Sequence, residues 1–408
     1  MSTTTARRRA GGLALATACT ATMCAAAPSV AAAQTSTAAR SAAQPSTSGT
    51  AVVQAATRTE GRQRKPPAKR PAAKRPAAGF RAVRTTAAPV VAMHSPARGQ
   101  VWFLERDASG RIILQRNDDG RWSTTRLPVT HTDYQKPDLH GSAANDVWVT
   151  AGGQLWRFDG RRWSRVGLPA GARATTVHDV PGPSVYVGLS GDLRTTGIYR
   201  LERGRWTSLG RPADSGTDTP YGPSYTPTDL TRTDGRWFAT WLARPKSAAQ
   251  WEMAAAYENG TWKPLYQTYM YGSGSYVRLG AWLVPTRDDQ LVFTTWRYSS
   301  DDPSAASGSC TRWTKAHGTT QPCRTTWAVG AAAVLPNGNI VLGGDDVRRA
   351  GQAPVEGTFG IRTKAGVEKY VGGDPGDATL AMTVEPRTTR VWAATKKGDV
   401  TTIQRWDG

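Results

Sequence analysis

The stretch Asp159-Gly160-Arg161-Arg162-Trp163-Ser164-Arg165-Val166-Gly167-Leu168-Pro169 decides the fold, because the chain repeats it. Asp119-Gly120-Arg121-Trp122 through Leu127-Pro128 is a second copy, and Arg203-Gly204-Arg205-Trp206 through Arg211-Pro212 a third. Glu258-Asn259-Gly260-Thr261-Trp262 through Leu265 is a fourth. Each reads as a tight turn, then a Trp, then a short strand. One turn–strand unit recurring in one register marks a repeat architecture.

Upstream of each turn lies a second apolar run, such as Val101-Trp102-Phe103-Leu104, Val147-Trp148-Val149 and Val391-Trp392-Ala393. From Trp102 through Trp148, Tyr186, Trp237, Val292 and Val341 to Trp392 the intervals are 46, 38, 51, 55, 49 and 51 residues. That spacing matches a four-stranded propeller blade of about 40–50 residues. Seven runs predict an all-β, seven-bladed β-propeller of four-stranded antiparallel blades. In the third unit the strands are expected at 175–180, 184–188, 197–201 and 205–209. Val, Ile, Tyr, Trp and Thr fill them, with Gly, Pro, Asp and Asn between. No long segment carries a 3.6-residue apolar period, so helix should be scarce.

The chain stops at Arg405-Trp406-Asp407-Gly408, the turn motif without its outer strand. The missing piece stands at the other end, in Gly79-Phe80-Arg81-Ala82-Val83-Arg84, with Phe80 in the place of the Trp. The amino-terminal strand is therefore expected to complete the last blade and remove an open sheet edge. Trp numbers 16 against 6 Phe and 6 Met. Its recurrence at equivalent strand positions predicts packing between neighbouring blades.

Residues 1–33 read as a signal peptide: Arg7-Arg8-Arg9, a mildly apolar stretch from Gly11 to Ala27, and Ala31-Ala32-Ala33 before Gln34. The apolar part is too weak for a stable membrane span. Residues 34–78 read as a disordered linker, rich in Ala, Pro and Ser and ending in the basic run Lys65-Pro66-Pro67-Ala68-Lys69-Arg70 onward. Residues 79–408 form the propeller. The formal net charge is +21, with 12 basic residues and one acid in residues 1–78. A basic exported protein is expected to associate with anionic polymers of the envelope.

Two cysteines follow the signal peptide, Cys310 and Cys323. A hairpin turning at Ala316-His317-Gly318 places them opposite each other, and an oxidising compartment favours a disulfide.

Long connections concentrate on one face, where outer strands lead to the next inner strand and second strands lead to third. These loops carry the candidate ligand-binding residues Tyr134, Tyr221, Tyr225, Tyr269, Tyr271, Arg297, Tyr298, Asp345 and Arg348. Tyr offers a flat ring with a polar tip, suited to glycan or peptide surfaces. Catalytic signals are thin. There is no Gly-x-Ser-x-Gly and no His-Glu-x-x-His. Asp301-Asp302 and Asp345-Asp346 read as turn residues. The five histidines are scattered, with His94, His140 and His178 expected at strand ends. No catalytic residue, metal site or cofactor is assigned.

Asn145-Asp146-Val147-Trp148-Val149, followed by Trp156-Arg157-Phe158-Asp159-Gly160-Arg161-Arg162-Trp163, resembles secreted bacterial β-propellers with a repeated D-V-W…W-D-G-x-x-W unit. The resemblance spans about residues 79–408 and departs from the pattern in the fourth to sixth units. It implies fold and export, and no chemistry. Asn259-Gly260-Thr261-Trp262 is also similar to sialidase Asp-box repeats, but the full motif is absent. The chain thus reads as a secreted or cell-wall-associated, non-catalytic binding protein with a glycan or protein ligand on the long-loop face. Its basic linker would meet an anionic cell-wall polymer. The partner would be that polymer, a glycan or an extracellular protein, with no specific nucleic acid, and the chain is expected to be a monomer. The alternatives are a glycan-active hydrolase or lyase, and a structural protein-interaction propeller.

Overall fold

The computed structural model describes residues 79–131, 136–192, 194–213, 224–233, 235–244, 250–270, 282–285, 290–297, 307–314, 320–322, 329–344, 359–363, 368–372 and 378–408. All lie within one of the two units into which the chain divides, residues 73–408. The signal-peptide and linker expectations fall outside them.

After β1 (Arg81–Thr86), the first sheet holds β2 (Val90–Ala97), β3 (Gln100–Arg106), β4 (Arg111–Asp118) and β5 (Arg121–Thr130). The second holds β6 (Asp138–Ala143), β7 (Asp146–Ala151), β8 (Gln154–Phe158) and β9 (Trp163–Val166). The third holds β10 (Arg173–Asp179), β11 (Ser184–Ser190), β12 (Gly197–Glu202) and β13 (Arg205–Gly210). The fourth holds β14 (Ser224–Thr233), β15 (Arg236–Arg244), β16 (Gln250–Glu258) and β17 (Thr261–Met270). The fifth holds β18 (Trp282–Pro285), β19 (Gln290–Arg297), β20 (Ser307–Thr314) and β21 (Thr320–Pro322). The sixth holds β22 (Val329–Val334), β23 (Ile340–Gly344), β24 (Phe359–Arg362) and β25 (Glu368–Gly372). The last holds β26 (Ala378–Val384), β27 (Val391–Lys397) and β28 (Val400–Trp406), with β1 as its fourth strand.

Every pairing among these strands is antiparallel between sequence neighbours, except that β1 pairs with β28. The inner strands neighbour one another in the order β2, β6, β10, β14, β18, β22, β26, and β26 meets β2 again. Four-stranded antiparallel blades around a common axis make a β-propeller. No helix occurs among the described residues. The third-unit strands lie within two residues of their expected bounds at every end.

Local chemistry explains the turns. Asp119-Gly120, Arg203-Gly204 and Asn259-Gly260 all hold positive φ at both positions, 47° and 92°, 50° and 80°, and 51° and 80°. Two positive φ values define the type I′ hairpin, whose twist matches its flanking strands and which favours Asn/Asp-Gly.

The core is divided among the boundaries between sheets. Trp102, Ile112 and Leu114 of the first sheet pack with Val147, Trp156 and Phe158 of the second. Trp148 and Leu155 pack with Val177, Val187 and Leu201 of the third. Ile198 joins Tyr225, Trp237, Trp241 and Trp262 of the fourth. Phe103 joins Trp392 and Ile403 of the last sheet. The repeat Trp residues seal these boundaries: Trp163 meets Trp102 edge-on at 5.7 Å, Trp206 Nε1 donates to Gly167 O at 3.1 Å, and Trp262 Nε1 donates to Leu209 O at 3.1 Å.

At the seam, Arg81 pairs in register with Arg405 and Thr86 with Thr401. Phe80 stacks on Phe359 of the sixth sheet at 3.7 Å and on Trp406 at 6.1 Å. Asp407 is held by Arg81 at 2.8 Å and by Arg390 at 2.9 Å. Arg390 also pairs with the fully buried Glu385 at 2.8 Å, which accepts the Gly99 N–H of the first sheet at 2.6 Å.

Candidate functional site: a histidine ladder beside an acidic cleft

Residues directly opposed in an antiparallel ladder lie on one face of the sheet. One such row crosses the first three sheets with the same chemistry. It reads His94–Trp102–Arg116–Ser123 in the first and His140–Trp148–Arg157–Ser164 in the second. In the third it reads His178–Tyr186–Arg200–Thr207. The fourth sheet replaces the imidazole with Arg232, opposite Trp237.

Because inner strands stand side by side, the imidazoles stack. His94 and His140 are 4.2 Å apart at their centroids and His140 and His178 4.0 Å. Trp237 closes the stack edge-on to His178 at 5.4 Å, and the Arg232 guanidinium stands 5.5 Å from the Trp237 ring. His94 Nε2 donates to Gly141 O at 2.7 Å. The Asp179 N–H donates to His140 Nδ1 at 3.0 Å, so the His140 proton sits on Nε2. Burial, and for the inner two also the neighbouring imidazoles, pushes all three below the ordinary histidine value. His140 falls well below it and His178 to about 3. The ladder is neutral at physiological pH.

Outside the ladder each row Trp of the first two sheets carries a guanidinium, and Trp392 of the last sheet, opposite Arg405, repeats the pair. Arg116 lies 5.4 Å from the Trp102 ring, Arg157 5.0 Å from Trp148 and Arg405 5.5 Å from Trp392. An acid at the sheet end fixes each one: Asp118 at 2.7 Å, Asp146 at 2.8 Å and Asp407 at 3.2 Å. Arg157 grips Asp146 with two bonds, Nε to Oδ1 at 2.8 Å and Nη2 to Oδ2 at 3.1 Å.

That pair forms the ridge of a two-lobed cleft between the second and third sheets. One lobe, about 430 Å³, is lined by Ser142, Asn145, Asp159, Pro181 and Gly182 with Asp146 and Arg157. The other, about 300 Å³, is lined by Trp148, Asp179, Pro183, Ser184, Arg203 and Gly204 with the same pair. Asp179 is buried, accepts the Ser142 N–H at 2.8 Å, and is pushed up to about 6, chiefly by burial and further by the Asp146 charge. The ladder and the cleft therefore share a residue: Asp179 bonds His140 through its backbone and lines the cleft with its side chain. Carboxylates, guanidinium, amide and hydroxyl groups here suit a hydroxyl- or amine-bearing ligand. No group of three His, Cys, Asp or Glu suited to a metal occurs among the described residues.

The cleft opens on the face of the short turns, Ala143–Asp146, Pro181–Ser184 and Arg203-Gly204, opposite the long-loop face. Of the residues expected to bind ligand on that other face, Tyr134, Tyr221, Tyr271, Tyr298, Asp345 and Arg348 lie outside the described residues. Tyr269 lies in β17, opposite Trp251, and Arg297 ends β19. Tyr225 is corrected: it is 2% exposed in the core with Trp237, Trp241 and Met253. β14 begins at Ser224, so this ring faces a sheet boundary where its apolar area is buried. Cys310 lies in β20 and Cys323 outside the described residues. The β20–β21 register pairs Thr311 with Pro322, the residues next to the two cysteines.

The histidines were missed as a group. His94 and His140 lie within their inner strands and His178 one residue from the end of its own, and the three rings are in contact rather than scattered. The signal was available: His94, His140 and His178 are 46 and 38 residues apart, the intervals separating Trp102, Trp148 and Tyr186. Each imidazole precedes its row aromatic by eight residues, which a period-based reading detects and a motif search does not.

No family model matches this chain, and no curated protein matches it. Solved structures resemble it at the level of fold. The extracellular domain of a putative one-component system from B. thetaiotaomicron aligns at 13% identity and a TM-score of 0.48, over 80% of this chain and 40% of that one. The chain thus spans well under half of that structure. The Cps50 (Swd1) β-propeller domain of Myceliophteria thermophila aligns at 9% identity and a TM-score of 0.48, over 81% of this chain and 99% of that one. An α-L-arabinanase of Penicillium chrysogenum, complexed with arabinobiose, aligns at 14% identity and a TM-score of 0.41, over 78% and 93%. Among the described residues no helix is long and apolar enough to cross a membrane.

Proposed function

We propose that the chain is a secreted, non-catalytic binding protein of the cell envelope, built as a seven-bladed ring that its amino-terminal strand closes. It takes a glycan or protein ligand, and its basic linker holds it near anionic wall polymers. The observation that carries this reading is the state of the cleft's charged groups. Asp146 is bound bidentately by Arg157, and Asp179 is buried against a backbone N–H, so no free nucleophile–base pair faces the cavity. Polar groups fixed in this way orient a ligand rather than react with it. Tyr134, Tyr221, Tyr269, Tyr271, Arg297, Tyr298, Asp345 and Arg348 stay proposed contacts on the opposite face, and the signal-peptide pattern of residues 1–33 supports export.

A glycan array and a cell-wall pulldown with the full-length protein test the reading. Asn145→Ala with Asp159→Ala is expected to abolish retention of a cleft ligand; a Tyr269→Ala with Arg297→Ala variant reports on the long-loop face. Retention unchanged in both variants overturns the assignment of a site to either face. One observation favours a hydrolase as second reading: the Asp179 carboxyl, raised to about 6 chiefly by burial, lines the cleft where a general acid would stand. Release of reducing ends by the parent, lost in Asp179→Asn, would replace binding with catalysis.

A further inference from the structure

The outer strands of the first three sheets share a charge bias. β5, β9 and β13 contain Arg121, Arg126, Arg165 and Arg205 and neither Asp nor Glu. Arg161 and Arg162 stand in the turn before β9, and all six arginines are exposed. Arg162 has Asp159 at 4.0 Å, while the other five make no ion pair among the described residues. Asp159 already accepts the Arg161 and Arg162 N–H groups, each at 2.9 Å. Between the arginines the exposed hydroxyls of Ser123, Ser164 and Thr207 end the rows described above. The arc stops at the fourth sheet, where Thr261 takes the arginine's place and Lys263 lies 3.6 Å from Glu258.

We propose that this rim binds a linear polyanion whose phosphodiesters are joined by polyol or sugar units. Guanidinium forks match phosphate oxygens bidentately, and unpaired exposed ones are free to do so. Interleaved hydroxyls match a polyol backbone. Nucleic acid fits less well. A duplex groove takes a helix or a two-stranded ribbon, and the arginines stand on strands held within four-stranded sheets. Single strands need exposed aromatic platforms, yet Trp122 is covered by Phe103 at 5.5 Å and Arg84 at 4.6 Å, and Trp163 packs on Trp102 and Phe158. The rim adjoins the cleft at Asp159, which lines one lobe and pairs with Arg162, whereas the strand arginines Arg121, Arg126, Arg165 and Arg205 line neither lobe. Arginines on an outer strand also oppose edge-to-edge pairing, and the test separates the two roles.

The test measures binding of poly(glycerol phosphate), and of a single-stranded oligonucleotide of equal charge, by the full-length chain across a salt series. The rim variant carries Arg121→Ser, Arg126→Ser, Arg165→Ser and Arg205→Ser. The linker variant carries Lys65→Gln, Lys69→Gln, Arg70→Gln, Lys74→Gln and Arg75→Gln. The rim variant is expected to melt like the parent, to bind poly(glycerol phosphate) about 10-fold or more weakly near physiological salt, and to show a shallower salt dependence. The linker variant, its rim intact, keeps measurable binding with a steep salt slope, which also decides the matter should the rim variant fail to fold. Unchanged affinity in the rim variant, whether soluble or aggregating, overturns the proposal. So does complete loss of binding in the linker variant, or preference of the parent for the oligonucleotide.

Discussion

Trp262 holds its boundary in two ways, by buried ring area and by its Nε1–H bond to Leu209 O. Trp262→Ala is expected to cost about 3–5 kcal/mol, read by chemical denaturation. Trp262→Phe keeps most of the area, loses the bond, and should cost nearer 1 kcal/mol. The ladder gives a second residue-scale prediction. Its imidazoles are depressed in the fold, so below about pH 6.5 the unfolded chain takes up protons that the native chain refuses. Stability is therefore complete above pH 6.5 and falls with acidification toward about 3, the His178 value. The slope is up to about 1.4 kcal/mol per pH unit for each imidazole. Asp179, raised to about 6, acts in the opposite sense: the native chain holds that proton, so its contribution improves as pH falls through 6. Three imidazoles outweigh one carboxyl. Asp138 near His94 and Arg232 near His178 are the other charges facing the ladder. Unfolding midpoints measured from pH 8 to 4 should decline below about 6.5. The decline should flatten in His94→Gln/His140→Gln/His178→Gln and steepen in Asp179→Asn.

At the scale of elements, the β20–β21 hairpin carries the disulfide expectation. With the register at Thr311–Pro322, we predict that Cys310 and Cys323 are joined, and that Cys310→Ser with Cys323→Ser lowers stability by about 3 kcal/mol. Free thiols in the unfolded, unreduced protein, counted by alkylation and mass, would exclude the bond. The strands themselves were legible in the sequence because turn chemistry and strand period are local: Asp119-Gly120 and Asn259-Gly260 announce their hairpins whatever surrounds them. Tyr225 was misread because a strand's first residues carry no local mark, and only the neighbouring sheet decides whether a ring there is covered. The cleft was not legible either. Asp146 and Arg157 come from the second sheet and Asp179 from the third, and each looks like an ordinary strand residue until the two sheets are side by side.

For the whole molecule, the seam is the decisive contact. Removing residues 79–86 leaves β28 with an unpaired edge and Phe359 without its covering ring. The truncated protein should unfold at lower temperature than the parent and self-associate on size-exclusion chromatography. A monodisperse truncation as stable as the parent would show that the ring closes without β1.

The seam also joins the beginning of the domain to its end: Arg81 reaches Asp407 only once the final residues exist. A growing polypeptide cannot seal its own circle. Until the terminal strand emerges it carries an unzipped margin, and the wheel locks only when the last strand meets the first.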